Sequence, residues 1–269
     1  MFYKLLYYLT VYLPLRLRGL YINFFSLFVR YGRIIEAAHK LFRGKSLMGI
    51  LPDGNLIFYP LDDFKLLSIL LEIYHKKIYD TKEIETYGCI YDVGAHIGLF
   101  TLRMSKQAPN SKIIAIEANP TNFKFLSRNV LVNGLKDRVR GLNVAVGQRK
   151  GRVVLWLNKL SRGDSSIKKG HDVYSDGYLI VDVLPLDDIL SDESSCYLIK
   201  IDVEGAETEV LRGLEKHHAK VNKLIMEIHI SDVNVNEIHE WLYKHNFTIT
   251  KTQKLYENCL LLEARNTVF

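Results

Sequence analysis

The sequence predicts an α/β protein with a mainly parallel, doubly wound sheet. From Cys89 onward, short apolar runs of strand length alternate with segments of helical spacing, as in sheets whose parallel strands are joined by helices. The chain has 269 residues, 48% of them hydrophobic and 25% charged, a globular composition that excludes disordered and collagen-like classes. No helical segment separates the last two predicted strands, residues 247–251 and 258–262, so we expect one of them to run antiparallel.

The residues before Cys89 predict an N-terminal cap made of helices and a hairpin. Residues 46–59 hold two apolar runs around the turn sequence PDGN, which is typical of a hairpin. Residues 61–79 have helical spacing, with apolar side chains on one face. We therefore divide the chain into a cap, residues 1–80, and a main domain, residues 81–269.

The main domain is predicted to alternate strands with helices, and one long polar stretch interrupts it. The polar stretch, residues 158–177, is long for a loop, so it is either a cover over a substrate or an ordinary surface loop. The predicted strands are 90–93, 112–116, 139–146, 152–157, 178–183, 198–203, 223–229, 247–251 and 258–262, and the predicted helices end near Gln107 or span 120–132, 206–214 and 235–245.

The excess positive charge lies almost wholly at the N-terminus. The chain has 36 basic and 30 acidic residues, a formal charge of +6, and no acidic residue precedes Glu36. A nucleic-acid-binding domain usually carries its basic patch in the folded body, so we expect no nucleic-acid partner. The basic residues that precede Glu36 are Lys4, Arg16, Arg18, Arg30 and Arg33.

Residues 1–35 are both basic and rich in aromatic side chains, and two uses of them stay open. The uncharged runs 5–15 and 19–29 are shorter than the ~20 apolar residues of a spanning helix, and no signal-peptide cleavage site follows them. Amphipathic helices of this composition can lie at a membrane interface, or they can pack on the body as a cap or dimer surface. We expect a cytoplasmic protein, with peripheral membrane contact as one of these two alternatives; the sequence predicts no oligomeric state.

The three cysteines predict neither disulfides nor a zinc site. Cys89, Cys196 and Cys259 are far apart, odd in number and without CxxC spacing. Buried small apolar residues in a reducing environment are the expectation.

A glycine turn follows the first strand of the main domain and predicts a ligand-binding site. In the sequence YDVGAHIG, glycine lets the backbone approach a ligand, and the helix that follows presents free N–H groups. The spacing is DxGxxxG, with His96 where the nicotinamide fingerprint GxGxxG would have its second glycine. Glu117 comes about 20 residues after Gly98, the distance at which an acidic side chain accepts both hydroxyls of an adenosine ribose. Together the two features favour an adenosine ligand.

Charged residues interrupt two later apolar strands. Lys200, Asp202 and Glu204 would share one face of the strand predicted over 198–203 and its end, and Glu227 and His229 share a face of the next. Open α/β sheets bind ligands at the carboxyl ends of their strands, so these residues predict a polar cleft there. A structural ion-pair network is the alternative. Such residues could also hold a divalent cation, but we assign no metal ligand.

The motifs DVGAHIG, IEANP, LPLDDIL, LIKIDVEGAE and MEIH, taken in this order, resemble the FkbM-type methyltransferases, a branch of the class I S-adenosylmethionine-dependent enzymes. The resemblance runs from about Cys89 to His229 and is most specific in IKIDVEGAE. It implies a Rossmann-like, seven-stranded sheet in residues 81–269 and S-adenosylmethionine as methyl donor. It also implies an oxygen acceptor, commonly a hydroxyl of a sugar or a natural product.

The resemblance also implies roles for individual residues. One departure from the family pattern is His96, where such sequences usually have Asn; we keep it among the donor-binding residues. A hydroxyl acceptor benefits from a base, which Asp202, Glu204 or His229 could supply. The implied donor-binding residues are Asp92, Gly94, Ala95 and Gly98 at the methionine part, Glu117 at the ribose and Asn119 near the adenine, while Asp202 and Glu204 lie close to the methyl group.

We therefore expect an O-methyltransferase whose small-molecule or glycan acceptor offers a hydroxyl, in a saccharide or a lipid-linked saccharide. Methyl transfer from a sulfonium is an in-line displacement that needs alignment and no nucleophilic residue. Two alternatives stay open: a nicotinamide-dependent oxidoreductase, which the missing GxGxxG disfavours, and a non-catalytic membrane-surface protein on a Rossmann-like body. The intact acidic residues at the strand ends argue against the latter.

Overall fold

The computed structural model describes residues 44–61, 63, 66–80, 88–158, 165–167 and 175–268. The basic, aromatic segment 1–35 lies outside these residues, as does most of the polar stretch 158–177. Within the described part of the chain, no helix combines the length and the apolar character needed to cross a membrane.

The described part of the cap begins with the expected hairpin. Strands β1 (Ser46–Ile50) and β2 (Leu56–Pro60) pair antiparallel across the turn. The helix predicted over 61–79 is shorter: α1 (Leu66–Leu70) continues as a π-helical segment (Leu71–Lys76) and ends at Lys77, whose φ of 53° is left-handed. Short π-helical segments often occur at functional sites.

The main domain alternates strands and helices in the expected order. The three cysteines are buried and free, as expected. In chain order the elements are β3 (Cys89–Val93), α2 (Leu99–Gln107), β4 (Lys112–Ile116), α3 (Pro120–Val132), β5 (Val139–Leu142), β6 (Ala145–Val146), β7 (Gly151–Asn158), β8 (Ser175–Leu184), α4 (Leu186–Ile189), β9 (Cys196–Ile201), α5 (Glu207–Arg212), a 3₁₀ turn (His218–Lys220), β10 (Val221–His229), α6 (Val235–Lys244), β11 (Phe247–Tyr256) and β12 (Cys259–Asn266).

A seven-stranded sheet in the order β11-β12-β10-β9-β3-β4-β5 forms the centre of the main domain. Strand β12 runs antiparallel to both of its neighbours, and the other adjacent pairs are parallel, which confirms the predicted mainly parallel, doubly wound α/β class. The chain moves outward from β3 through β4 to β5, then returns to β9 on the other side of β3. The strand order therefore reverses between β3 and β9, and ligands bind at such a point.

Side chains of the central strands alternate between two apolar layers. Ile90 and Leu198 pack in the layer that also contains cap residues, whereas Tyr91 and Ile199 pack in the opposite layer. Strands β3 and β9 are buried along their whole length, as expected for parallel strands covered on both faces. The cap shares its core with the main domain.

Two asparagines, Asn129 within α3 and Asn133 directly after it, attach the hairpin to the main domain. The Asn129 amide accepts a hydrogen bond from Phe58 N at 2.6 Å and donates one to Phe58 O at 3.0 Å. Asn133, one helical turn later, forms the same pair of bonds with the backbone of Leu56 at 2.8 and 2.7 Å. The two amides thus bind the edge of β2 as a neighbouring strand would.

Two predicted strand boundaries were wrong. The strand predicted over 139–146 is two strands, because β6 leaves the main sheet for a three-stranded sheet of order β6-β8-β7. The chain turns at Asn143, whose amide donates to Glu117 O at 2.7 Å and to Ala118 O at 3.1 Å. The strand predicted over 198–203 ends at Ile201, so Asp202 and Glu204 follow β9 instead of lying within it.

Candidate functional site

A cavity of about 750 Å³ opens at the carboxyl ends of the central strands, below the cap. One end has apolar walls from the main domain, including Ile116, Val146 and Leu155, together with the Glu117 carboxylate. The other end carries charged side chains from β9 and β10 and residues of the π-helical segment. The cavity therefore joins the two regions that the sequence analysis singled out.

The glycine turn brings the ends of β3 and β9 together. Gly94 and Ala95 line the cavity, and both donate their backbone N–H groups to Ile116 O, at 3.0 and 2.9 Å. Gly94 has φ of +78°, and a Cβ built there would lie 1.8 Å from Asp202 O. Glycine is thus required by the contact between backbones. Gly98 does not line the cavity; it precedes α2 and packs against Leu126.

Asp92 is buried behind the cavity wall and does not line it. Its carboxylate accepts a hydrogen bond from Thr101 Oγ1 at 2.6 Å and lies 3.3 Å from Lys200 Nζ. Lys200 Nζ also donates to Gly94 O at 2.9 Å and lies 3.4 Å from Asp202 Oδ2. Burial would lower the pKa of Lys200, but Asp202 and Asp92 outweigh it and raise that pKa above its usual value. Asp92 therefore reaches the cavity only through Lys200.

Glu117 presents a buried carboxylate at the end of β4. Its Oε2 accepts from His96 N and its Oε1 from Asn119 N, each at 2.8 Å. Burial raises the pKa of Glu117, while the neighbouring His96 and these backbone donors act in the opposite direction. The Asn122 amide Nδ2 also lies 3.5 Å from Oε1. A carboxylate oxygen has two lone pairs, so Oε2 is the oxygen that can accept one further hydrogen bond.

His96 lines the cavity, but its ring points toward the cap. Its Nε2 lies 2.8 Å from Oδ2 of Asp63, whose side chain is fully buried. Burial lowers the pKa of His96, but the Asp63 carboxylate more than offsets this and the pKa is raised. His96 also has a left-handed backbone, with φ of 52°, which aims its N–H at Glu117. Asp63 lies in none of the motifs, so its contact with His96 was not predicted from the sequence.

Asn119 caps α3 and does not line the cavity. Its Oδ1 accepts from Thr121 N at 2.9 Å, and its Nδ2 lies 3.4 Å from Ser165 Oγ. Residues 165–167, the described part of the polar stretch, contribute Ser165 and Ile167 to the cavity wall. Ser166 pairs with Trp156 and donates to Glu204 O at 2.5 Å. This segment therefore lies against both ends of the site.

His229 is held between two carboxylates. Its Nε2 lies 3.2 Å from Glu204 Oε2, and its Nδ1 lies 2.7 Å from Oε1 of the fully buried Glu207. Burial would lower the pKa of His229, but these two carboxylates raise it to about 12. The ring is therefore an imidazolium at neutral pH, without a lone pair to accept a proton. Glu204 reaches it through a left-handed backbone, with φ of 51°, and not by sharing a strand face with Asp202.

Glu227 is a further carboxylate of the cavity wall that was not among the predicted site residues. The hydroxyl of Tyr79, from the cap, donates to Glu227 Oε1, and Cys259 Sγ lies 3.6 Å from Oε2. Burial, followed by the charge of Asp202, raises the pKa of Glu227 to about 8. The alternation with His229 on β10 pointed to this carboxylate, but no sequence signal pointed to Tyr79.

Two groups of side chains in the cavity have the composition of metal sites. The ligand atoms of Asp202, Glu204 and His229 lie within 4.8 Å of one another, and so do those of Glu227, His229 and Cys259. The ion pair of His229 with Glu204 and the contact of Glu227 with Cys259 already account for much of this proximity.

Comparison with known proteins gives one family. Residues 92–249, more than half of the chain, match the family described as the methyltransferase FkbM domain. Methyltransferase 1 of Beauveria bassiana is 32% identical over 62% of this chain and 74% of its own length. The 31-O-demethyl-FK506 methyltransferase FkbM of Streptomyces tacrolimicus is 25% identical over 64% of this chain and 76% of its own.

Two more similarities cover a smaller share of the other protein's length. The hexuronic acid methyltransferase AglP of Haloferax volcanii is 27% identical over 55% of this chain and 59% of its own length. The crystal structure of methyltransferase FkbM from Methylobacillus flagellatus superimposes with a TM-score of 0.51, at 19% identity, over 74% of this chain and 53% of that chain. The latter similarity concerns the fold alone.

Proposed function

The chain belongs to the FkbM family of S-adenosylmethionine-dependent methyltransferases, and on that premise we propose that it methylates a hydroxyl of a saccharide or lipid-linked saccharide. The observation that carries the proposal is the single cavity that runs from Glu117 to Glu227 and His229. A donor bound at the first end would direct its methyl group toward the second, where the acceptor hydroxyl would lie.

The residues at the glycine-turn end fit the donor. We assign the ribose hydroxyls to Glu117, since two backbone N–H groups and the Asn122 amide fix its carboxylate and Oε2 can accept another hydrogen bond. The apolar side chains of Ile116, Val146 and Leu155 offer a wall for the adenine. The methionine part would then lie along Gly94 and Ala95, where the absence of large side chains leaves the backbone accessible.

The remaining residues that were predicted to bind the methyl donor act indirectly in this proposal. Asp92 fixes Lys200, and Gly98 sets the turn that begins α2. His96 orients Glu117 through its backbone N–H, and Asn119 does the same from the other side. These residues would position donor contacts, and their side chains would not supply them.

When bound, the donor supplies an activated methyl group on a sulfonium centre. The protein's contribution is to align the acceptor oxygen with that group and to exclude competing water. Asp202, at the middle of the cavity, is 28% exposed and offers a carboxylate that complements positive charge. Lys200 and the backbone contact at Gly94 hold this carboxylate in place.

The acceptor end suits a polar molecule with an apolar face. Tyr79 and Tyr256 line it, and Lys76 Nζ lies 5.5 Å from the centre of the Tyr256 ring. Aromatic side chains pack against the C–H faces of sugar rings, while hydroxyls need polar partners such as Glu227 and Asn258. The names of two relatives, a hexuronic acid methyltransferase and a 31-O-demethyl-FK506 methyltransferase, agree with an oxygen acceptor.

The test is transfer of label from methyl-labelled S-adenosylmethionine to the fractionated small molecules and lipid extract of a cell lysate. We expect labelled products that are stable to mild alkali, as methyl ethers are, and that release methylated monosaccharides on acid hydrolysis. Label released by mild alkali would indicate a carboxyl acceptor, and label in no small molecule would contradict the proposal.

Residues 1–35 could determine whether the acceptor is free or lipid-linked, through contact with a membrane. We propose that this segment, basic and aromatic in sequence, contacts anionic lipid, which would favour a lipid-linked acceptor. Flotation with phosphatidylglycerol-containing liposomes tests this directly. Full-length protein should float and a chain beginning at Glu36 should not, whereas equal flotation of both would remove the membrane contact.

A further inference from the structure

We propose that Glu227 is the catalytic base that accepts the proton of the acceptor hydroxyl, and that Tyr79 of the cap positions it. The proposal rests on the proposed function, since it needs a hydroxyl acceptor in the same cavity. It departs from the assignment of the base to Asp202, Glu204 or His229 that the sequence favoured.

Glu227 is placed where an acceptor would be. It lines the cavity near the carboxyl end of β10, two residues before His229, and its side chain is largely buried. Asp202, from the adjoining end of β9, lines the same part of the wall. A hydroxyl bound beside Tyr79 would meet the Glu227 carboxylate directly, because the Tyr79 hydroxyl is already hydrogen-bonded to its Oε1.

The partners of Glu227 distinguish it from the other carboxylates of the cavity. Asp202 lies 3.4 Å from Lys200 Nζ, and Glu204 lies 3.2 Å from the His229 imidazolium. Both of these carboxylates are thus engaged in ion pairs. Glu227 instead accepts hydrogen bonds from a phenol and a thiol, both neutral donors.

Burial and nearby charges raise the proton affinity of Glu227. Tyr79 stays protonated, since burial and the charge of Glu227 raise its pKa well above 10, so it keeps the proton that it donates to the Glu227 carboxylate. Burial, Asp202 and Glu72 raise the pKa of Glu227 to about 8, against the opposing effects of Tyr79 and Lys200. Cys259 also remains a thiol, because burial raises its pKa above the usual value. A general base is most effective when its pKa lies near the working pH.

The step balances with these groups alone. A lone pair of the acceptor oxygen forms the new O–CH₃ bond while the C–S bond breaks, and its electron pair stays on sulfur, which leaves a neutral thioether. The hydroxyl proton passes to Glu227 Oε, which becomes a neutral carboxylic acid. Tyr79 keeps its own proton and holds the carboxylate in orientation through Oε1.

The variant Glu227→Gln tests the base, because it keeps the shape and can still accept a hydrogen bond from Tyr79 while losing the proton acceptor. On the acceptor fraction that the wild-type enzyme labels, we expect kcat to fall about 100-fold or more, within the usual contribution of a general base. Calorimetric affinity for S-adenosylmethionine should stay within about threefold. The rate of wild-type transfer should rise with pH with a midpoint near pH 8, and that rise should be absent in the variant.

A second variant tests whether Tyr79 positions the Glu227 carboxylate or only contributes to folding. Tyr79→Phe removes a hydrogen bond that favours the ionised carboxylate, so the midpoint of the rate profile should move to higher pH. Infrared spectroscopy of the donor-free protein gives a readout independent of activity: a protonated carboxyl band should titrate near pH 8 and be missing in Glu227→Gln. Thermal unfolding checks that both variants fold, and Glu227→Asp, which keeps the carboxyl group, should retain the pH dependence at a lower rate.

The outcomes separate this proposal from the proposed function. If wild-type enzyme methylates a hydroxyl and Glu227→Gln does so within threefold of its rate, Glu227 is not the base and the function stands. If Asp202→Asn abolishes the pH-dependent rise while Glu227→Gln keeps it, the base is Asp202. If wild-type protein binds the donor but transfers its methyl group to no hydroxyl, the proposed function fails, and the role of Glu227 fails with it.

Discussion

Glu117 shows how a buried carboxylate can be prepared for a ligand. Two backbone N–H groups, from His96 and Asn119, fix its orientation before any donor binds. His96 in turn depends on Asp63 of the cap, 2.8 Å away. The ribose contact that we assign to Glu117 is therefore organised by residues on both sides of the cavity.

Replacing Glu117 by Ala should weaken binding of S-adenosylmethionine by about 1–3 kcal/mol, because the ribose hydroxyls lose their acceptor. Isothermal titration calorimetry measures this as a rise in Kd of roughly fivefold to 150-fold. The matched control is Asp182→Ala, which removes an exposed carboxylate paired with Arg152 on the surface, and should leave Kd unchanged. Equal affinities for wild type and Glu117→Ala would place the ribose elsewhere.

The positive charge of His229 stabilises the folded protein. Its pKa is raised to about 12 in the folded protein by Glu204 and Glu207, above the usual value of about 6.5. The resulting stabilisation is fully present below about pH 6.5 and is lost as the pH rises toward 12, because the unfolded chain is then neutral at this position.

The variant His229→Asn should therefore be less stable than wild type by about 3 kcal/mol near pH 6, the order expected when a buried ion pair loses one partner. The difference should shrink by about 1 kcal/mol or more at pH 9. Urea unfolding at the two pH values measures both quantities. A difference that is unchanged or larger at pH 9 would mean that the ring is neutral in the folded protein.

Among the elements, the turn after β3 is the one whose geometry fixes the site. It joins β3 to α2, and its backbone lies against the end of β9 so closely that Gly94 has no room for a side chain. The same contact places Asp202 N within 3.1 Å of Val93 O and so holds the two strand ends in register.

Gly94→Ala should destabilise the protein by about 2–5 kcal/mol, since the new methyl group meets a backbone oxygen and the residue must keep a left-handed φ. Gly151→Ala is the matched control, because a Cβ there meets nothing within 4 Å. It should change stability by no more than about 0.5 kcal/mol. Urea unfolding compares the two, and similar losses of stability would contradict the steric account.

The sequence predicted these elements to different degrees. The fully buried strands β3 and β9 are almost entirely apolar, each with one charged residue, so the sequence predicted that they exist. The motif around Gly94 and Glu117 predicted one end of the cavity. The sequence did not predict that residues 139–146 form two strands, because this depends on a hydrogen bond from Asn143 to Glu117 O at the end of β4. The same holds for the end of β9 before Asp202.

On the scale of the whole described structure, cap residues between Ser68 and Tyr79 line the cavity, and the sequence held the least information about this contact. Asp63 and Tyr79 come from the cap and contact His96 and Glu227 of the main domain. Such pairs are far apart in the chain and depend on tertiary packing, here through the amides of α3 and a shared core. Local periodicity and motif spacing carry no information about them.

The central claim is that this cavity binds S-adenosylmethionine, and calorimetric titration of the full-length protein tests it most directly. We predict that S-adenosylmethionine and its demethylated product both bind with one-to-one stoichiometry, and that NAD gives no heat or a much weaker response. Failure of the first two ligands to bind, or tighter binding of NAD, would contradict the account.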